Sequence, residues 1–305
     1  MVTLAMTSSA VPRLAADPTW RVEWRYVAYY VALAFGLAWL IEGIAIARGI
    51  TFATLTVRGV LVLASAMFTP AIAALVVRLT TKEGFASAGL RIGPWKLYLA
   101  VWCAVAALAV LIYGITIALG LGTLDPSLSK LTELMRANSN GRPLPHLPPL
   151  GVLASVMYLQ SVTVGLLITT VATFGEEFGW TGYLLIKLLP LGRWRAAVVY
   201  GAIWGLWHAP VIVAGYNYPG HPIAGPLMMC LLTVTFALSQ TALRIRSRSV
   251  VLTSFTHACI NAQGLGVLPL LVVGVSPVLG GITGLVGIAV SGVVGAWLLS
   301  RTPES

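Results

Sequence analysis

From residue 27 to residue 299 the chain alternates long apolar stretches with short polar connectors, and the apolar stretches show no period-2 alternation. Eight of them approach or exceed the roughly 20 residues needed to cross about 30 Å of hydrocarbon. They run 27–46, 60–79, 97–119, 151–188, 196–215, 223–243, 250–274 and 279–299. Backbone in lipid must satisfy its own hydrogen bonds, which leaves helices and closed barrels. Runs of this length without strand alternation select helices. The pattern predicts an all-α, polytopic transmembrane helix bundle of about eight spans. The fourth stretch reads either as one tilted helix or as a helix broken near Gly179 and Gly182, and the seventh has a break signal at Gly264, Gly266 and Pro269.

Composition agrees. Hydrophobic residues make up 58% of the 305 and charged residues only 9%, against about a quarter charged in soluble domains. The mean hydropathy is +0.90. A net charge of +10 raises the question of nucleic acid, but the basic residues sit between apolar runs, as cytoplasmic loops facing anionic lipid do. No nucleic-acid partner is expected. With the N-terminus inside, Arg48, Arg58, Lys130, Arg136 and Arg142 fall outside, and the other 14 of the 19 Lys and Arg residues fall inside. The positive-inside rule therefore puts both termini in the cytoplasm, in a multi-pass protein of the cell membrane. Residues 1–26 are polar and read as a cytoplasmic N-terminal segment rather than a cleavable signal. Residues 27–300 read as one intramembrane domain and 301–305 as a cytoplasmic tail. Segment 120–150, ending in Pro143 to Pro149, reads as an exposed loop with a short amphipathic helix. The three cysteines, Cys103, Cys230 and Cys259, all lie in apolar runs and read as small core residues rather than a disulfide framework.

Acidic residues within spans are costly, about 2.5–3.5 kcal/mol each at the bilayer centre on insertion scales. Only Glu42, Glu176 and Glu177 occupy such positions. Glu42, near the end of the first span, reads as helix-end packing that reaches the interface. Glu176 and Glu177 are adjacent, so they point about 100° apart and can take different roles, one facing a wet cavity and one bracing the bundle. His208 lies deep in the fifth span and His257 in the seventh; His146 and His221 read as loop residues. His257 and Asn261 are four apart and share a helix face.

A carboxylate, two imidazoles and an amide suffice for peptide hydrolysis: the carboxylate as general base toward water, an imidazole to orient the water, and an imidazole and amide to stabilise the oxyanion. Other intramembrane chemistries fit the residues less well. Both Asp residues, Asp17 and Asp125, lie outside the spans, and neither His-Glu-x-x-His nor Gly-x-Ser-x-Gly occurs.

Three segments resemble the motifs of the CAAX-protease and bacteriocin-processing (Abi) family, which includes the type II CAAX prenyl endopeptidases. Glu176-Glu177-Phe-Gly-Trp-Thr181 is similar to that family's Glu-Glu-x-x-x-Arg, with Thr in place of Arg. Trp204 to His208 is similar to its aromatic-x-x-x-His, and His257 to Asn261 to its His-x-x-x-Asn. Phe68-Thr-Pro70-Ala-Ile-Ala-Ala and Gly89-Leu-Arg add to the likeness. The resemblance implies a metal-independent glutamate endopeptidase acting on a peptide or membrane-anchored protein, with Glu176 as general base, His208 polarising water, His257 and Asn261 as the oxyanion hole, and Glu177 in support. It implies no cofactor. Zinc held by Glu and two His is the minority alternative. A non-catalytic scaffold or a bacteriocin self-immunity protein on the same fold is the alternative function, motivated by Thr181.

Overall fold

The computed structural model describes residues 21–54, 56–139, 141–142 and 148–303. His146, most of Pro143 to Pro149 and the greater part of the N-terminal segment lie outside the described residues. The described chain is all-α apart from one two-residue antiparallel pairing. The helices are α1 (Trp24–Ala47), α2 (Val57–Ala66), α3 (Thr69–Thr81), α4 (Trp95–Ala118), α5 (Ser129–Asn138), α6 (Leu150–Val162), α7 (Val164–Gly179), α8 (Leu185–Leu188), α9 (Arg193–Trp207), α10 (Ala209–Val213), α11 (Ala224–Ser247), α12 (Val250–Cys259), α13 (Leu268–Leu271) and α14 (Leu285–Ser300). Strands β1 (Thr123–Leu124) and β2 (Val272–Val273) pair, Thr123 opposite Val273.

Among the described residues, α1, α2 with α3, α4 and α11 are long and apolar enough to cross a membrane, and the pair α6–α7 makes a fifth candidate if it is one bent span. The bundle is apolar outside, and its largely apolar core also holds buried polar and charged side chains. Leu40, Leu61, Leu79, Val110, Ile168 and Val293 are exposed, while Glu42, Arg78, Glu176, Glu177, Gln240 and Arg244 are buried. An apolar exterior with its charged groups buried fits a lipid solvent, in which polar groups must find protein partners.

The fourth apolar stretch does not break at Gly179 or Gly182. It bends by 44° at Thr163, whose φ of −122° and ψ of −101° leave the helical region. The two glycines instead serve close packing and a widened turn. Residues 180–184 form a π-helical turn continuous with α7, and residues 260–264 form a second one after α12. Such turns insert an extra residue and re-aim the side chains around them. The seventh stretch does end at Gly264, as its sequence predicts, before the short α13. Carbonyls of the first π turn accept from buried guanidiniums: Arg244 Nε donates to Thr181 O at 3.2 Å and Arg78 Nη2 to Gly182 O at 2.8 Å. Gly89 lets Arg244 pass, because a Cβ there would lie 2.5 Å from Arg244 Nη2 and its φ is +76°.

Two glycine pairs set the helix spacing. On α7, a Cβ at Gly175 would meet Met67 O at 2.6 Å, and one at Gly179 would meet Pro70 Cβ and Tyr30 Oη at 2.4 Å. On α9, Cβ atoms at Gly201 and Gly205 would come within 2.7 and 2.4 Å of Val234 Cα and Cys230 Cα of α11. Small residues at i and i+4 let helix backbones approach closely where no hydrophobic effect drives association. The cysteines are all free. Cys259 is buried and Cys230 half-buried, but Cys103 is exposed, on the outward face of α4, so the core reading fails for that residue.

The loop after α4 does contain the short helix α5. Asp125 nucleates it, accepting backbone N–H groups from Ser127 at 2.9 Å and Ser129 at 3.0 Å as well as both serine hydroxyls. These hydrogen bonds, Ser127's first, hold the Asp125 carboxyl down at about 2. A depressed folded value stabilises above the unfolded carboxyl's ordinary value and is lost as pH falls through the folded one. Amide exchange in α5 is therefore expected to quicken as pH drops from about 4 to about 2, beyond the intrinsic pH effect, and Asp125→Asn should abolish that dependence. For the glycine contacts, Gly179→Ala is expected to cost about 1–3 kcal/mol through overpacking. Gly36→Ala, with nothing within 4 Å, should leave stability unchanged or slightly raised; thermal unfolding in detergent compares the two.

Candidate active site

Each of the three segments brings its polar residues to the centre of the bundle. Glu176 and Glu177 end α7, pressed against α3 by Gly175 and Gly179. Trp204 and His208 close α9, pressed against α11 by Gly201 and Gly205. His257 and Asn261 flank the junction of α12 with its π turn. Glu176, Trp204, His208, His257 and Asn261 all line one cavity of about 160 Å³, together with Glu42 and apolar side chains of α2, α4 and α11. A water needs at least about 10–15 Å³ of such space, so several fit.

Trp204 organises the group. Its Nε1–H donates to Glu176 Oε2 at 2.8 Å. Its backbone oxygen is 3.0 Å from His208 Nδ1. A carbonyl only accepts, so a neutral His208 carries its proton on Nδ1 and has Nε2 as its free ring nitrogen. The Trp204 ring also packs edge-on against His257, centroids 5.2 Å apart. The motif aromatic is thus also a donor, through the indole N–H that a phenyl ring lacks.

Glu177 does not line the cavity. It is fully buried behind His257, with Oε1 3.2 Å from His257 Nδ1. Its other oxygen, Oε2, lies 3.0 Å from Thr181 Oγ1. The Thr181 hydroxyl is also 2.9 Å from Glu177 O and 2.8 Å from Thr253 Oγ1. Thr181, which stands where the resemblance leads one to expect Arg, is thus a direct partner of the bracing carboxylate.

Glu42 corrects a sequence expectation. It does not reach the interface: it is 1% exposed, lines the cavity, and its Oε2 has no hydrogen-bond partner. The physical reason is the rotation of α1. Trp39, one turn earlier, donates its indole N–H to Trp207 O at 3.1 Å, which turns that face of α1 toward α9. His221 lies in the loop before α11, as expected. Among the described residues no three His, Cys, Asp or Glu side chains group as a metal site.

Residues 158–263 match the family described as type II CAAX prenyl endopeptidase Rce1-like. Over this segment the chain is similar to that family. The matched stretch contains all three motifs, from before Glu176 to beyond Asn261, and bears out the resemblance read from the sequence. No curated protein matches the chain. The exposed apolar helices are those of a membrane protein, and the matched segment is similar to a family of membrane proteases.

Trp204 offers a test of the site's architecture. Trp204→Phe keeps a ring beside His257 and removes the donor to Glu176. It is expected to cost about 1.5–3 kcal/mol, the range for a hydrogen bond to a charged group. Trp204→Ala, losing the ring as well, should cost about 3–5 kcal/mol. Chemical unfolding of the two variants separates the indole N–H from the packing.

Proposed function

We propose that this Rce1-like chain is an intramembrane endopeptidase that hydrolyses a peptide bond in a peptide or membrane-anchored protein, using water activated by Glu176 and no metal. The observation that carries the reading is that Glu176, His208, His257 and Asn261, from three separate apolar segments, face one cavity large enough for water. Buried polar groups in a bundle normally pair with one another; here they converge on open space.

In this mechanism Glu176, oriented by Trp204 Nε1–H, takes a proton from water as the water oxygen attacks the scissile carbonyl carbon. His208, anchored through Nδ1, accepts a hydrogen bond at Nε2 from the water's second O–H, which stays on the attacking oxygen. The carbonyl electron pair moves to oxygen, and the oxyanion faces the Asn261 amide and His257. His257 donates from Nε2 when its ring carries both protons, the form with which the Glu177 carboxylate pairs at Nδ1. Each such donor contributes about 2.7–4 kcal/mol to lowering the barrier. Glu176 then returns its proton to the amide nitrogen, the C–N bond breaks, and a carboxylic acid and an amine leave. The Thr181 hydroxyl on Glu177 Oε2 supports a catalytic reading despite the missing Arg. The proposal includes eight membrane-crossing segments, counting the interrupted helices α9–α10 and α12 with its π turn and the short α14, in the cell membrane with both termini cytoplasmic. Charge distribution supports that orientation.

The test compares peptide termini in membrane fractions from cells carrying the wild-type chain and Glu176→Gln at matched, folded levels. New termini that depend on Glu176, and that persist in the presence of a metal chelator, are expected. Identical termini in both would favour a non-catalytic scaffold or self-immunity protein on this fold.

A further inference from the structure

The cavity has a second carboxylate that the hydrolytic scheme does not use. Glu42 approaches from α1, on the face fixed by the Trp39–Trp207 hydrogen bond. It is buried, its Oε2 is unpartnered, and it lines the same cavity as Glu176. A buried polar atom without a partner in a native structure calls for a ligand, a water or a functional reason. The lining contains two carboxylates and two imidazoles but neither Lys nor Arg. Even with His257 doubly protonated, two ionised carboxylates leave the lining net negative, which favours a cationic group over an anionic one. Arg78 and Arg244, the buried guanidiniums of the bundle, are occupied with the π-turn carbonyls and do not line the cavity.

We propose that Glu42 forms a cation subsite, receiving the ammonium or guanidinium of a substrate residue next to the scissile bond. An ammonium or guanidinium supplies the donors that the free oxygen lacks, and a charge-assisted hydrogen bond is the strong kind. Glu42 then fixes where along the substrate Glu176 delivers its water, as a specificity-determining residue and not as a second base. The subsite rests on the endopeptidase reading for its use, but not for its existence.

Two measurements test it. In the first, the purified wild-type chain in detergent is treated with dicyclohexylcarbodiimide, which modifies carboxyls in apolar surroundings, and labelling of Glu42 is read by mass spectrometry. A short peptide containing lysine is expected to slow Glu42 labelling about tenfold, and the same peptide with norleucine at that position is not. Equal protection by both peptides, or by neither, overturns the subsite, and this arm needs no variant and no hydrolysis. In the second, termini generated by wild type and Glu42→Gln are compared. The share of cuts flanked by Lys or Arg is expected to fall about tenfold, the equivalent of one charge-assisted hydrogen bond, with Glu42→Asp retaining part of the preference. An unchanged cut-site distribution, or a uniform loss of all cuts in a folded variant, overturns the specificity role. If wild type and Glu176→Gln give identical termini, the hydrolytic reading fails while the labelling arm still decides whether Glu42 binds a cation.

Discussion

Two adjacent carboxylates inside an apolar bundle are the constraint around which this structure is arranged. Burying one unpaired charge is costly enough to unfold a helix bundle, and two neighbours also repel. The helix separates them by the rotation between successive residues. Glu176 turns to the cavity and the Trp204 indole; Glu177 turns into the protein, to Thr181 and His257. Each carboxylate thus has its own donors, and the two come to occupy different environments although they are consecutive in sequence.

The rest of the bundle supplies those partners at the correct distance. Close glycine-mediated contacts seat the acid-bearing α7 against α3 and the indole-bearing α9 against α11. Two of the three motif-bearing helices, α7 and α12, run on into π-helical turns, after Glu177 in the first and including Asn261 in the second. The first of these turns is pinned by Arg78 and Arg244, whose guanidiniums are themselves accommodated by backbone oxygens and by a glycine at positive φ. Arg78, Arg244, Thr181 and Glu177 are thereby linked through hydrogen bonds around one turn, while Glu42 Oε2 faces the cavity without a partner.

Trp204 shows how the identity of the motif aromatic changes the chemistry available. A phenylalanine at this position would provide the ring beside His257 and nothing to Glu176. The indole provides both, and its backbone carbonyl fixes the tautomer of neutral His208 one turn on. Thr181, in place of a guanidinium, shares a hydroxyl with Glu177 and leaves its carbonyl to Arg244. The charge of an arginine returns to this turn from α11, directed at the backbone instead of the carboxylate.

The sequence by itself determined the solvent, the helical class and the polar residues that converge. Runs of apolar residues cannot be hidden in any rearrangement, and Glu176, Glu177, His208, His257 and Asn261 stand out because polar residues are scarce in such runs. The family match over residues 158–263 spans all five. Only the tertiary structure decided the role of Glu42, the donor function of Trp204 and the bend at Thr163. Whether a residue near the end of a span meets lipid, water or protein depends on helix rotation and on contacts from distant segments: Trp39 with Trp207, α7 with α3. Those contacts join residues well over a hundred positions apart in the chain, and periodicity along one helix does not specify which neighbour its polar face will meet.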